Sequence, residues 1–134
     1  MMNLQTVELR NVLIVDDEPD ICLLLRKILV KMNLIVDYAY SIGDGLKKVV
    51  KMDPELVFLD MNLTDGNGLD HISEFKQNKK ATIIVMISAY DTAADRAKAF
   101  ELGVNYFLSK PFTQMQIAEV ITELKAALKK PKNG

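Results

Sequence analysis

A chain of 134 residues, 49% hydrophobic and 26% charged, has the composition of one globular domain that buries roughly two-thirds of its unfolded surface. A formal net charge of −1 leaves no overall electrostatic footprint for nucleic acid, and no apolar run approaches the ~18 residues that a membrane span needs. One cysteine cannot form an internal disulfide, and the N-terminus lacks the basic-then-apolar layout of a signal peptide, so a cytoplasmic location is expected.

Strand-like and helix-like segments alternate along the whole chain. Residues 12–15 are a short apolar run, followed by "DDEPD" and then "ICLLLRKILVKM". In the latter, Ile21, Leu24, Leu25, Ile28, Leu29 and Met32 recur at helical spacing, and Pro19 suits a first turn, where its missing N–H costs nothing. Cys22 and Leu23 fall off that stripe. Residues 34–38 read as a second strand, and Ser41 with Asp44 three positions on resembles a capping arrangement for a helix to about Met52. The third strand is 56–59, with a helix expected around 68–77. Residues 82–87, "TIIVMI", are β-branched enough for the fourth strand. Asp91 can cap the following helix, and Gly103 suits its end. Residues 104–108 make the fifth strand. Thr113 and Gln116 then open an amphipathic helix with Met115, Ile117, Val120, Ile121, Leu124 and Leu128 on its apolar face. The lysine clusters read as solvated helix faces, and the closing "KKPKNG" as a frayed tail or the start of a linker.

Five strands alternating with five helices predict an α/β fold: a parallel sheet with helices on both faces, joined by right-handed crossovers. The unbroken apolar character of the strands agrees, since a sheet buried on both faces needs no alternation. Such sheets bind ligands outside the carboxyl ends of their strands. Polar residues gather there. The first strand ends on Asp16, Asp17 and Glu18, the third on Asp60, the fourth on Ser88, and the fifth on Ser109, Lys110 and Pro111. With strand order 2-1-3-4-5 the first and third are neighbours, and Asp16, Asp17 and Asp60 converge, flanked by Ser88 and Lys110.

Ionised carboxylates so placed repel one another. A single pair at 4 Å costs on the order of 4 kcal/mol at an effective dielectric of 20. Lys110 offsets part of this, and the remaining partner expected is a hard cation such as Mg²⁺, since His71 is the only histidine and no set of soft ligands exists. A fixed, ionised carboxylate beside Mg²⁺, a lysine and a hydroxyl can attack phosphorus and become an aspartyl phosphate. Lys110 and the cation would neutralise the equatorial oxygens of the transition state, and Ser88 would donate a hydrogen bond.

In "VLIVDDEPD", "LVFLDMNLTDGNGLD", "IIVMISAY" and "FLSKPF", the chain resembles the receiver domain of bacterial two-component response regulators, over about Asn11 to Lys129. The resemblance implies a flavodoxin-like receiver fold. It implies that Asp60 is the phosphoacceptor, phosphorylated by a histidine kinase or phosphotransfer protein, and that Mg²⁺, or Mn²⁺ in its place, is required. By the same resemblance Asp17 ligates the ion directly, Asp16 directly or through water, and Asn62 through its backbone carbonyl. Ser88 becomes the switch hydroxyl, Phe107 the switch aromatic and Lys110 the phosphoryl-contacting lysine, with a cis Lys110–Pro111 peptide. Thr64 stands where the family often has proline, which implies a less rigid loop. The fifth strand begins "GVNYF" in place of the acidic pair that one large class uses for a charged dimer.

The implied function is a signalling module that catalyses only its own phosphorylation and dephosphorylation. Its implied partners are the phosphodonor and a downstream effector or fused output domain, with a phosphorylation-dependent dimer as a further form. Neither nucleic acid nor membrane binding is expected of these residues. The expected division is an N-terminal extension over 1–10, the receiver unit over 11–129 and a tail over 130–134. A Mg²⁺-dependent aspartyl-nucleophile phosphatase is the alternative, but it calls for a second carboxylate where this chain has Asn62. An FMN carrier of flavodoxin-like fold would find its phosphate repelled by "DDEPD".

Overall fold

The computed structural model describes residues 8–77, 79 and 81–128. The expected frayed tail and most of the expected N-terminal extension lie outside the described residues. β1 (Asn11–Val15), β2 (Ile35–Ala39) and β3 (Leu56–Asp60) are joined through α1 (Pro19–Lys31) and α2 (Ile42–Met52). A two-residue pair, β4 (Asn62–Leu63) and β5 (Gly66–Asn67), follows, then a 3₁₀ turn (Gly68–His71) and the short α3 (Ile72–Lys76). β6 (Ile83–Ser88), α4 (Ala93–Glu101), β7 (Tyr106–Ser109) and α5 (Gln114–Leu128) complete the chain.

The main sheet is five-stranded and parallel throughout, in the order β2-β1-β3-β6-β7, which is the expected 2-1-3-4-5. All five residues of β3 and all six of β6 are buried, as strands covered on both faces must be. Alternate side chains divide the core. Val12, Ile14, Phe58, Val85 and Ile87 pack with α1 and α5. Leu13, Val15, Val57, Leu59, Ile84 and Met86 pack with α2, α3 and α4. Each fully buried aliphatic side chain contributes about 1.5–3 kcal/mol.

Local signals act largely as expected. Pro19 starts α1. Ser41 Oγ accepts from Asp44 N at 3.1 Å. Thr113 and Gln116 form a reciprocal box, Thr113 N to Gln116 Oε1 and Gln116 N to Thr113 Oγ1. Gly103, at φ 103°, turns the chain out of α4 where a side chain would be strained.

Four local expectations are corrected. The buried stripe of α1 is Cys22, Leu25, Ile28 and Leu29, which places Cys22 in the core and leaves Leu24 exposed. Spacings of three and seven from Cys22 define that face as well as spacings from Ile21 do. Met115 is exposed, because the core side of α5 runs through Ile117, Val120, Ile121 and Leu124. Thr92, not Asp91, caps α4 by accepting from Asp95 N, while Asp91 binds Arg96 and Ser109. The helix expected over 68–77 is a 3₁₀ turn running into a helix of five residues.

Candidate functional site

The carboxyl ends of β1 and β3 adjoin, as the strand order requires, and Lys110 reaches them from the end of β7 across the tip of β6. Asp16 and Asp60 are almost wholly buried. Lys110 Nζ lies 3.0 Å from Asp16 Oδ2, 3.0 Å from Glu18 Oε1 and 3.3 Å from Asp60 Oδ2. One carboxylate oxygen from each of Asp16, Asp17, Glu18 and Asp60 lies within 4.8 Å of the others. Four acids and one ammonium therefore share a cleft. Glu18 is the member that sequence reasoning left out, although it ends the same acidic run.

Backbone ties fix these side chains. Asp16 N donates to Ala39 O, and Asp16 Oδ1 accepts from Glu18 N at 2.8 Å. Cys22 Sγ donates to Asp16 O at 3.3 Å. Its thiol is pushed up to about 12, first by burial and then by the Asp16 charge, so it acts as a neutral donor. Asp60 Oδ1 accepts from Asn62 N at 3.2 Å. Lys110 N donates to Ser88 O at 2.8 Å, and the Lys110–Pro111 peptide is cis, as the resemblance implies. Gly68 is a second residue missed from sequence: a Cβ there would stand 2.4 Å from Asp60 O, so only glycine lets the chain pass beneath the strand tip.

Burial pushes the Asp60 carboxyl up to about 6, the Asp16 charge adds to the rise, and Lys110 opposes it. Burial raises Asp16 as well, against the Glu18 amide and Lys110. For Lys110 burial works against the charge, yet pairing with Asp16, Glu18 and Asp60 holds the ammonium above its ordinary range. Asp16 Oδ2, ion-paired with Lys110 but outside hydrogen-bonding geometry, is a buried oxygen with no hydrogen-bond donor. An orphaned oxygen within an all-carboxylate set fits a hard divalent cation.

Ser88 and Phe107 stand apart from this cluster. The Ser88 hydroxyl donates to Tyr90 O at 2.9 Å and accepts from Tyr90 N at 3.0 Å. Phe107 is buried, with the Arg96 guanidinium 4.9 Å from its ring centroid. No helix among the described residues is long and apolar enough to cross a membrane.

Comparison with known proteins agrees with this geometry. Residues 12–122 match the response regulator receiver domain family. The sensory transduction protein LytR of Staphylococcus saprophyticus is 36% identical over 118 residues, covering 87% of this chain and 46% of that protein. The KDP operon transcriptional regulatory protein KdpE of Escherichia coli is 35% identical over 120 residues, covering 90% of this chain and 52% of that one. The chain thus spans about half the length of the curated relatives it matches. The crystal structure of a CheY-like response regulator receiver domain protein from Methanospirillum hungatei shares the fold, with a TM-score of 0.84 at 23% identity over 91% of this chain and 98% of that one.

Proposed function

The chain belongs to the response regulator receiver domain family of two-component systems, and from that premise we propose that Asp60 is its phosphoacceptor. The observation that carries the assignment is the Lys110 ammonium, held 3.3 Å from Asp60 and 3.0 Å from Asp16 at adjoining strand tips. A nucleophile for phosphorus must be held in place, ionised and beside a positive charge that can take up the oxygens of the transferring group. Asp60 meets each condition: at pH 7 it lies above its titration near 6, so the carboxylate predominates.

The donor is a phosphohistidine of a histidine kinase or phosphotransfer protein. An Asp60 carboxylate oxygen attacks phosphorus, the P–N bond breaks, and its electron pair leaves on the imidazole, which takes up a proton. Lys110 neutralises charge on the equatorial oxygens. Asp16, Asp17, Asp60 and the Asn62 carbonyl would hold Mg²⁺, or Mn²⁺, which when bound supplies a second positive charge for those oxygens. Ser88 acts as the switch hydroxyl by exchanging its bonds to Tyr90 for one to the phosphoryl group. Phe107, in register with Met86 two residues before Ser88, answers that shift as the switch aromatic.

The chain catalyses only its own phosphorylation and dephosphorylation. Residues 11–129 form the receiver unit, with 130–134 as tail or linker, and its output passes to an effector protein or an attached output domain in the cytoplasm. Incubation with acetyl phosphate and Mg²⁺, read by intact mass, should add one phosphoryl group, and chelator or Asp60→Asn should abolish it. A full-stoichiometry adduct on Asp60→Asn would overturn the assignment.

A further inference from the structure

The loop after Asp60 is bound to a helix that precedes it by a whole strand. Asp65, at the turn between β4 and β5, accepts from Ile42 N at 2.9 Å through Oδ1 and from Gly43 N at 3.1 Å through Oδ2. These are two of the amides that the first turn of α2 leaves without helical partners, and a third, from Asp44, goes to Ser41. The next residue packs there too, since a Cβ on Gly66 would stand 3.0 Å from Ile42 Cδ1. The far end of the hairpin is pinned under the strand tip by Gly68 N, which donates to Met61 O at 2.7 Å.

The start of α2 is in turn one short step from the Asp16 loop. Asp16 N donates to Ala39 O at 3.0 Å, and only Tyr40 and Ser41 separate Ala39 from Ile42. A closed ring therefore runs from Asp16 to Ala39, along to Ile42, across to Asp65, back along the hairpin through Asn62 to Asp60, and home through the pairing of Leu59 with Val15. Every other link in that ring is main chain. Asp65 is its single side-chain link.

We infer that Asp65 is a positioning residue for the phosphorylation site: its carboxylate fixes the Asp60–Asn62 loop against the Asp16–Asp17 loop. The inference rests on the reading of Asp60 as phosphoacceptor. Asp65 is not one of the four acids grouped at the strand tips. It sets the distance between two sets of ligands that lie on different loops, and it supplies the restraint that a proline at Thr64 would otherwise give. The Ile42 and Gly43 amides hold its carboxyl below the usual carboxylate range, so the tie is ionised at neutral pH.

Ser41→Ala is the control, because it also removes a side-chain acceptor from the start of α2 but leaves the ring closed. Both Asp65→Ala and Ser41→Ala should lower the melting temperature, Asp65→Ala by more because it strands two amides rather than one. Calorimetric titration of the full chain with Mg²⁺ should then separate them. Asp65→Ala should weaken Kd by about 10-fold, as loss of a residue that orients ligands does, and slow labelling by acetyl phosphate in proportion. Ser41→Ala should keep the wild-type Kd and rate. Asp65→Asn, which keeps one acceptor oxygen, should fall between and serves where Asp65→Ala does not fold. If Asp65→Ala or Asp65→Asn bound Mg²⁺ as Ser41→Ala does, while wild type still labelled on Asp60, the positioning role would be overturned and the acceptor would stand. A wild type that neither bound Mg²⁺ nor took label would overturn both.

Discussion

β3 carries an acid at each end, and the two have opposite fates. Glu55, just before the strand, accepts from both Arg10 N and Asn11 N at 2.7 Å through Oε1. It completes the hydrogen bonding of backbone amides where β1 begins, which is a service to stability. Asp60, at the other end, has one backbone donor and a share of a lysine claimed by three carboxylates. Burial without enough donors moves its titration up to about 6. Carboxylates at the two ends of one strand thus differ in role through burial and through how far their donors are shared. The sheet is stabilised at the edge where its strands start and carries surplus negative charge at the edge where they finish. Proteins retain such local conflicts where function requires them.

The acidic edge depends most on its one shared cation. Lys110→Met leaves Asp16 and Asp60 buried with no counter-charge, and metal-free stability should fall by on the order of 3 kcal/mol in urea unfolding. Near-wild-type unfolding would mean that the acids are not coupled through Lys110. Asp60→Asn should do the reverse, raising metal-free stability at pH 7 by on the order of 2 kcal/mol. The sign follows from linkage: a carboxyl raised in the folded state contributes stability below its unfolded value of about 3.9, and loses it as pH rises through about 6. The advantage of Asp60→Asn should therefore vanish below about pH 4 and grow to neutrality, as melts in chelator across that range would show. A constant difference would count against it. Saturating Mg²⁺ should erase the gap, since wild type gains by binding and the variant gains much less.

At the opposite edge, Glu55→Ala should cost about 1–2 kcal/mol by stranding two amides. That loss should be the same with and without Mg²⁺; a loss that Mg²⁺ changed would join the two edges that are separated here. The smallest effect is expected of Asp17→Asn, a gain of under about 1 kcal/mol without metal, because Asp17 is only partly buried and outside the Lys110 pairs. It should nonetheless weaken Mg²⁺ binding in the same titration.

Most of the fold was legible because the strands are continuous apolar runs bounded by strong turn residues, and the strand tips could then be read off as a list of polar residues. Asp16, Asp17 and Asp60 converge because strand order makes β1 and β3 neighbours, and Lys110 reaches them from β7, across the tip of β6, on its long side chain. What sequence could not show is which of several available partners each side chain takes once the chain is folded. Asp91 and Thr92 are adjacent and both suited to cap α4, and the choice falls to Arg96 and Ser109, which claim Asp91. Asp65 reads as an ordinary turn residue until α2 is placed beside it. Gly68 is one glycine among six until β3 is laid above it. The Ser88 hydroxyl is engaged by both backbone polar groups of Tyr90, which spacing does not reveal.

If the acid at the tip of β3 carries the phosphoryl group, borohydride trapping will locate it there. Borohydride reduces an acyl phosphate but not a free carboxylate, leaving an alcohol at the acceptor position. Wild-type protein labelled with acetyl phosphate and Mg²⁺, reduced and mapped by peptide mass spectrometry, should carry that alcohol at position 60 alone. Recovery at Asp16, Asp17 or Glu18, with Asp60 unchanged, would contradict the account.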